Sequence, residues 1–232
     1  MLKPLVSLAT NQEVLGKKIA ESLTDKKFLH IISLNTENAM EAQKNQEFEK
    51  IYFDPDSVVI ADGIGIVLAR NYFGLPKVNR ITGVDLMTRL VQTYPNKRIL
   101  FVGGIDGTAQ KVVDYYKRTV SQNGDFDCIA DVDRNDTDLI QKITSKNPEI
   151  LFIAFGSPFQ EIWIQKNKSN LKGIVCMGVG GGFDFVSGKV RRAPKIIRDI
   201  GLEWLFRLII EPWRLKRQLV LPRFVLSVVL SR

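Results

Sequence analysis

Histidine is nearly absent from this 232-residue chain, in which His30 is the only one. A histidine-rich metal site is therefore excluded, and a serine–histidine nucleophile is possible only if His30 serves it. Because His30 lies inside the apolar run 28–34, we expect it in the core or at an edge of a sheet. The two cysteines, Cys128 and Cys176, lie in strand-like runs. This pattern predicts buried thiols in a reducing compartment, not a disulfide or a metal site.

Long apolar runs are also missing. A helix that spans a bilayer needs about 20 consecutive apolar residues, and the best candidate, 219–230, is short and contains Pro222 and Arg223. The chain begins Met-Leu-Lys-Pro, which lacks the long apolar stretch of a secretory signal peptide. We therefore expect a cytoplasmic protein with no transmembrane span.

Positive charge, by contrast, is concentrated at one end. The chain has 33 Lys and Arg against 25 Asp and Glu, a net charge of +8. Residues 1–188 contain 22 of each kind, whereas residues 189–232 contain 11 basic and 3 acidic side chains. The same C-terminal stretch is rich in Trp, Phe, Leu, Ile and Val. Basic and apolar character together predict a segment that lies on an anionic membrane surface, and a solvated basic helix that caps the core is the alternative.

The first 180 residues alternate short apolar runs with helical patterns. The predicted strands are 28–34, 58–61, 98–102, 127–130, 150–155 and 173–177, and the predicted helices are 37–50, 64–73, 84–93, 108–123, 137–146 and 159–166. This alternation indicates a Rossmann-like α/β catalytic domain, residues 1–190, with a mostly parallel sheet and helices on both faces. Residues 191–232 are expected to form a C-terminal appendage of two or three helices that begins near Pro194.

Polar residues and glycines lie at the ends of five of the predicted strands, at the edge where parallel α/β sheets bind ligands. They are Ser33 and Asn35; Asp62, Gly63 and Gly65; Gly103, Gly104 and Gly107; Gly156 and Gln160; and Gly178, Gly180, Gly181, Gly182 and Asp184. Glycines let backbone N–H groups approach a phosphate, and helix N-termini add partial positive charge. The pattern therefore favours a ligand that carries phosphate. Asp62 stands out, because a carboxylate at the floor of a cleft can act as a general base, although it could also simply cap the next helix.

Four other ligand classes are less well supported. No Gly-Lys-Ser/Thr follows any glycine cluster, so the Walker phosphate-binding pattern is absent. Gly103-Gly104-x-x-Gly107 misses the dinucleotide spacing, so a nicotinamide oxidoreductase is a weak alternative. Asp131-Val132-Asp133 matches the D-x-D pattern that holds a divalent metal in many sugar-nucleotide transferases, but it lies in an expected loop, and we expect no metal. Nucleic-acid binding would need aromatic platforms among basic loops, whereas the aromatic residues of the tail accompany Leu and Ile.

Six sequence blocks, in order, carry a family resemblance. They are Ala61-Asp62-Gly63-x-Gly65, Arg80-x-Thr82-Gly83-x-Asp85, Gly156-x-Pro158-x-Gln160-Glu161, Gly178-x-Gly180-Gly181-x-Phe183-Asp184, Arg192-Ala193-Pro194 and Gly201-Leu202-Glu203-Trp204-x-x-Arg207-x-x-x-Glu211-Pro212-x-Arg214. Over roughly residues 31–217 the chain resembles the WecG/TagA/CpsF glycosyltransferases, glycosyltransferase family 26. The resemblance implies an inverting transfer of a hexose, typically N-acetylmannosamine or its uronic acid, from a UDP-sugar to a sugar on undecaprenyl diphosphate, usually with a β-1,4 linkage. UDP-glucose is a further possible donor.

The resemblance also implies roles for individual residues. Asp62 aligns with the proposed base, and Ser33 and Asn35 align with a Thr-x-Asn pair, with Ser in place of Thr. The expected donor site comprises Arg80, Asp85, Gly103, Gly104, Gln160, Gly180 and Asp184. Arginines that match Arg207, Arg214 and Arg217 hold the acceptor's diphosphate.

The partners that the resemblance implies are a UDP-sugar and a lipid-linked acceptor, with no metal and no cofactor. With the charge pattern, it places the protein peripherally on the inner face of a bacterial plasma membrane, without nucleic acid. Relatives self-associate, so a homo-oligomer is possible. Neither residues 1–27 nor residues 219–232 belong to the blocks that carry the resemblance.

Overall fold

The computed structural model describes residues 2–231, which contain a six-stranded sheet whose neighbouring strands are all parallel. The strands are β1 (Leu29–Leu34), β2 (Ser57–Ala61), β3 (Ile99–Gly103), β4 (Phe126–Ile129), β5 (Ile150–Ala154) and β6 (Val175–Gly178). Their order across the sheet is β2-β1-β6-β5-β3-β4. Each of the six predicted strands is present within two residues of its expected bounds, and the predicted parallel α/β fold is confirmed.

Helices cover both faces of the sheet. They are α1 (Leu2–Ser7), α2 (Gln12–Asp25), α3 (Thr36–Ala42), α4 (Gln46–Tyr52), α5 (Ile64–Tyr72), α6 (Gly83–Thr93), α7 (Thr108–Thr119), α8 (Leu139–Ser145), α9 (Phe159–Lys166) and α10 (Gly182–Val186). Successive residues of β1 show the two faces: Ile31 packs with α2, α6, α7 and α10, whereas Ile32 packs with α1, α3, α4 and α5. Because β1 is buried on both sides, it is apolar throughout except for His30 and Ser33. His30 is fully buried in it, which confirms a core histidine.

Several helix predictions need correction. The single helix expected over 37–50 is two helices, because α3 ends at Ala42 and the side chain of Asn45 accepts a hydrogen bond from Phe48 N to start α4. Helix α7 stops at Thr119, four residues before its predicted end.

The cysteines are both free, but only Cys176 is fully buried and Cys128 is partly exposed.

The C-terminal segment contains more and shorter helices than expected. They are α11 (Lys195–Asp199), α12 (Glu203–Ile210), a 3₁₀ turn (Pro212–Arg214), α13 (Leu215–Gln218) and α14 (Val220–Leu230). Gly201, at φ +82°, separates α11 from α12, and Pro212 follows the end of α12. Helix α14 packs on α3 and α1, and Phe224 and Val228 join the apolar core on that face of the sheet. The division at residue 190 stays a prediction.

Large apolar side chains are exposed along this same segment. They include Ile196, Ile209, Trp213, Leu219 and Leu230, each between 64% and 77% exposed. Among the helices of residues 2–231, none is both long enough and apolar enough to cross a membrane. The exposed apolar residues therefore lie on short helices at the surface of the molecule.

Candidate active site

A cavity of about 420 Å³ lies at the carboxyl ends of four adjacent strands, β2, β1, β6 and β5, beneath the C-terminal segment. Nine of the thirteen predicted site residues line it: Ser33, Asn35, Asp62, Arg80, Gln160, Gly180, Arg207, Arg214 and Arg217. Residues far apart in sequence meet here because parallel strands end at one edge of the sheet.

Asp62 is the candidate base among the cavity residues. Burial raises the pKa of Asp62 to about 6, and the negative charge of Glu203 acts in the same direction. A hydrogen bond from Gly83 N to Oδ2, 3.3 Å long, the Ser33 hydroxyl and the charge of Arg80 act in the opposite direction. A carboxylate with a pKa near the working pH is suited to accept a proton and then release it.

Ser33 and Asn35 lie at the end of β1, beside Asp62. A Cβ on Gly83 would lie 3.3 Å from Ser33 Oγ and 3.5 Å from Asp62 Oδ2, so the hydroxyl and the carboxylate flank the same glycine. Asn35 Oδ1 accepts a 2.9 Å hydrogen bond from Asn38 N and caps α3. Its Nδ2 amide is the group that remains for a ligand.

Gln160 fixes the glycine loop that follows β6. Its Oε1 accepts a 3.0 Å hydrogen bond from Gly180 N, and its Nε2 donates over 2.7 Å to Glu161 Oε1. A Cβ on Gly178 would lie 2.5 Å from Gln160 Nε2, so only glycine fits at that position. Burial raises the pKa of Glu161, which also lines the cavity. The loop presents backbone at the cavity wall, which suits a phosphate.

Three arginines of the C-terminal segment also line the cavity. Arg207 Nε and Arg214 Nε donate to the same carboxylate oxygen, Glu211 Oε2, over 2.5 Å and 2.8 Å. Arg217 Nε donates to Glu37 Oε2 over 2.8 Å, which ties the tail to the start of α3. The three guanidinium groups thus form a cationic patch over a cavity whose other wall is glycine-rich.

Arg80 joins the cavity to the tail. Its Nη2 donates to the main-chain carbonyl of Arg198 in α11. The positive charge of Arg80 also lowers the pKa of Asp62. Arg80 therefore contacts the C-terminal segment and influences the candidate base.

Among the described residues, four that were predicted for the donor site do not line the cavity: Asp85, Gly103, Gly104 and Asp184. Asp85 forms an ion pair with Arg192, 2.7 Å between Oδ1 and Nη1, and accepts a 2.7 Å hydrogen bond from the Thr82 hydroxyl. Asp184 lies just behind the wall, where its Oδ2 is 3.8 Å from Arg207 Nη2.

The position of Gly103 and Gly104 follows from the strand order. Strand β3 lies two strands away from β6, so its end falls outside the cavity. Both glycines have positive φ, and a Cβ on Gly104 would lie 2.1 Å from Thr108 Oγ1. The tight turn into α7 is the local reason for the glycines.

The first aspartate of the D-x-D stretch makes a hydrogen bond within the fold. Both oxygens of Asp131 accept from Gly107 N, at 3.1 Å and 3.2 Å, so the carboxylate binds the residue that directly precedes α7. Over residues 2–231, no group of three or more His, Cys, Asp or Glu side chains is arranged to hold a metal ion. Activity without a metal stays a prediction.

Several cavity residues were not assigned by sequence reasoning. They are Glu37, Ser157, Glu161, Glu203, Trp204, Gln218 and Leu221. Glu161, Glu203 and Trp204 belong to the six sequence blocks that carry the family resemblance, and that position could have identified them as site residues. Glu37 and Gln218 meet only because the tail folds back onto α3, and no local pattern indicates that contact.

The fold and the cavity together define the class: an α/β protein with a glycine- and arginine-lined cavity at the carboxyl edge of a parallel sheet, where such folds bind ligands. The chain belongs to the glycosyl transferase WecG/TagA/CpsF family, whose model matches residues 4–232. This match confirms the resemblance and extends it over both ends of the chain.

Curated relatives cover most of the chain. A protein of Bacillus subtilis is 34% identical over 216 residues, 88% of this chain and 81% of its own length. One from Bacillus spizizenii is 32% identical over 215 residues, 89% of this chain and 81% of its own. One from Staphylococcus aureus is 27% identical over 206 residues, 88% of this chain and 81% of its own. Each is named N-acetylglucosaminyldiphosphoundecaprenol N-acetyl-beta-D-mannosaminyltransferase.

Proposed function

We propose that this chain is an inverting glycosyltransferase that moves N-acetylmannosamine from a UDP-sugar to a sugar on undecaprenyl diphosphate, with a β-1,4 linkage. The product would enter a cell-surface polysaccharide or teichoic acid. The names of the relatives supply the donor and acceptor classes. The observation that carries the proposal is Asp62, a carboxylate with a pKa of about 6 in a cavity walled by glycines on one side and arginines on the other.

Asp62 accepts the proton of the acceptor hydroxyl. The oxygen then forms a bond to the anomeric carbon while the bond from that carbon to the UDP oxygen breaks, which inverts the configuration. Ser33 and Asn35 lie beside the base and orient the acceptor hydroxyl or the donor sugar. Asp62 later releases its proton to solvent, so the carboxylate is regenerated.

The departing UDP carries negative charge that must be stabilised. Arg80 provides a positive charge, and the backbone N–H groups of the glycine loop after β6 provide partial positive charges. Gln160 fixes that loop by accepting a hydrogen bond from Gly180 N. Asp184 contributes to the donor site from α10, the helix that follows the glycine loop after β6. Asp85, Gly103 and Gly104 support the donor site from outside the cavity. Asp85 lies in the first turn of α6, and the two glycines lie at the turn between β3 and α7.

The acceptor's own diphosphate lies under Arg207, Arg214 and Arg217. Arginine suits this role because its planar fork binds two phosphate oxygens at once. The exposed apolar residues of α11 to α14 contact anionic lipid, which brings the cavity to the membrane-bound substrate. The protein then acts peripherally at the inner face of the plasma membrane, and self-association of two or more copies is compatible with this role.

A donor screen tests the proposal. UDP release is measured from UDP-N-acetylmannosamine, UDP-glucose and a UDP-uronic acid, each with a synthetic undecaprenyl-diphosphate-linked N-acetylglucosamine. We expect acceptor-dependent release that is fastest with UDP-N-acetylmannosamine and unchanged by excess EDTA. Release with UDP-glucose or the uronic acid alone would assign a different donor within the family. Loss of release in EDTA that Mn²⁺ restores would contradict the metal-free mechanism.

A further inference from the structure

Glu211 lies between two of the three cavity arginines. It follows the end of α12 and is 8% exposed. One of its oxygens, Oε2, accepts from Nε of Arg207 at 2.5 Å and from Nε of Arg214 at 2.8 Å. One oxygen of the Glu211 carboxylate therefore binds both guanidinium groups, each through its Nε atom.

Binding through Nε leaves the Nη atoms of each guanidinium outside the contact with Glu211. Arg207 Nη2 is buried and has no hydrogen-bond partner among the described residues. Its nearest carboxylate oxygen, Asp184 Oδ2, is 3.8 Å away, which is an ion pair without a hydrogen bond. A Cβ on Gly181 would lie 2.7 Å from Arg207 Nη2, so the Nη end rests against the glycine wall of the cavity. Buried donors without partners are rare in folded proteins, and this one belongs to a residue that lines the cavity.

The charges explain why a carboxylate is needed here. Burial and the positive charges of Arg207 and Arg217 lower the pKa of Arg214, a sign of mutual repulsion. Burial alone would raise the pKa of Glu211, but Arg207 and Arg214 hold it below its usual value. Without Glu211, two partly buried cations would face each other unshielded, and each side chain would lose its fixed geometry.

We propose that Glu211 is a positioning residue that holds Arg207 and Arg214 at the cavity by their Nε atoms and leaves their Nη atoms for the two phosphates of a lipid-linked diphosphate. This inference rests on the proposed role of those arginines. Preset donors lower the entropy lost when a diphosphate binds. Because one carboxylate serves two arginines, the pair keeps a net positive charge toward the ligand.

If Glu211 instead competed with the diphosphate for the arginines, its removal would lower the acceptor KM. The acceptor KM therefore distinguishes the two roles. The variants Glu211→Gln, Glu211→Ala and Glu211→Asp are assayed with separate titrations of the UDP-sugar and the lipid-diphosphate acceptor. We expect Gln and Ala to raise the acceptor KM about tenfold or more, as when a buried charge pair loses one partner, with the donor KM within about twofold of wild type. Asp retains the charge and should recover part of the loss.

Controls separate this inference from the proposed function. Glu21→Gln removes one exposed negative charge away from the cavity and should leave both KM values unchanged. If Arg207→Ala and Arg214→Ala do not raise the acceptor KM, the arginine clamp itself is wrong. If they do, and Glu211→Gln leaves the acceptor KM unchanged or lowers it, only the positioning role is overturned. An equal rise of both KM values with a lower melting temperature for Gln, Ala and Asp alike would show a structural role and would also overturn it.

Discussion

The ionised form of the Asp62 carboxyl lowers the stability of the fold, because its hydrogen bonds and the charge of Arg80 do not fully offset the cost of its burial. Its pKa is about 6 in the folded protein, above the ordinary value of 3.8. A carboxyl whose folded pKa is raised contributes stability below pH 3.8 that is lost as the pH rises through about 6. At neutral pH, therefore, the folded state retains a charged group that its surroundings disfavour.

Asp62→Asn should for that reason reduce turnover without unfolding the protein. Loss of a general base typically costs about 10²–10⁴-fold in rate. The melting temperature above pH 6 should equal or exceed that of wild type, since Asn carries no charge to bury. Asp125→Asn, an exposed change before the amino end of β4, is the matched control and should change neither quantity. Turnover of Asp62→Asn within a few-fold of wild type would remove Asp62 from the role of base.

The pH profile provides a second measurement on the same residue. Because the base must be ionised, kcat/KM should fall tenfold per pH unit below about 6, as Asp62 becomes protonated. The acid limb should be absent in Asp62→Asn, whose residual rate has no carboxyl to titrate. An acid limb of the same midpoint in that variant would assign it to another group.

Single residues were predictable where a strand end fixes their position. Asp62, Ser33, Asn35 and Gln160 lie at or just after the ends of apolar strands, and the structure brings them to one cavity. Gly103 and Gly104 also lie at the end of a strand, yet they do not line the cavity. The difference depends on which strands are neighbours, and strand order is a property of the whole chain that no single strand encodes.

At the scale of helices, the C-terminal segment was the hardest part to predict. Its basic and apolar composition is plain in sequence, but its breaks at Gly201 and Pro212 and its return onto α3 are not. The return is held by Arg217 with Glu37, by Gln43 with Ser227 and by buried Phe224. Removing the segment would expose the apolar residues that Phe224 covers, so substitution is a cleaner test than truncation.

Replacing Arg207, Arg214 and Arg217 together by Ala should abolish transfer to the lipid acceptor and leave binding of the UDP-sugar intact. The matched control removes three positive charges from the same segment at exposed positions outside the cavity: Lys195→Ala, Lys216→Ala and Arg223→Ala. Both triple variants lose the same net charge, so weaker attraction to the membrane affects them equally. Circular dichroism and titration calorimetry with UDP-sugar show whether each is folded. Wild-type transfer by the cavity variant would show that the tail is not the acceptor clamp.

For the molecule as a whole, charge and apolar exposure coincide on one side. The net charge of +8 comes from the C-terminal segment, and that segment also exposes Ile209 and Trp213, each at 71%. If this segment binds a membrane as we propose, long-range attraction to anionic lipid and short-range burial of apolar side chains act on the same part of the chain. We then expect the segment to orient the cavity toward the bilayer as well as to raise the local concentration of enzyme.

Ile209→Ser with Trp213→Ser should weaken binding to vesicles of phosphatidylcholine and phosphatidylglycerol, measured by flotation, by about tenfold or more for each side chain that enters the lipid. Transfer to a lipid acceptor in vesicles should fall in parallel, whereas transfer to a short-chain acceptor in solution should not, because neither residue lines the cavity. Ile105→Ser, an equally exposed change in the turn before α7, is the control and should bind as wild type does. Pure phosphatidylcholine vesicles should bind the wild type weakly, since the basic residues then have no anionic partner. If the double variant floats with anionic vesicles like wild type while DNA retards both in a gel, the surface binds polyanions rather than a membrane, and the exposed apolar residues need another explanation.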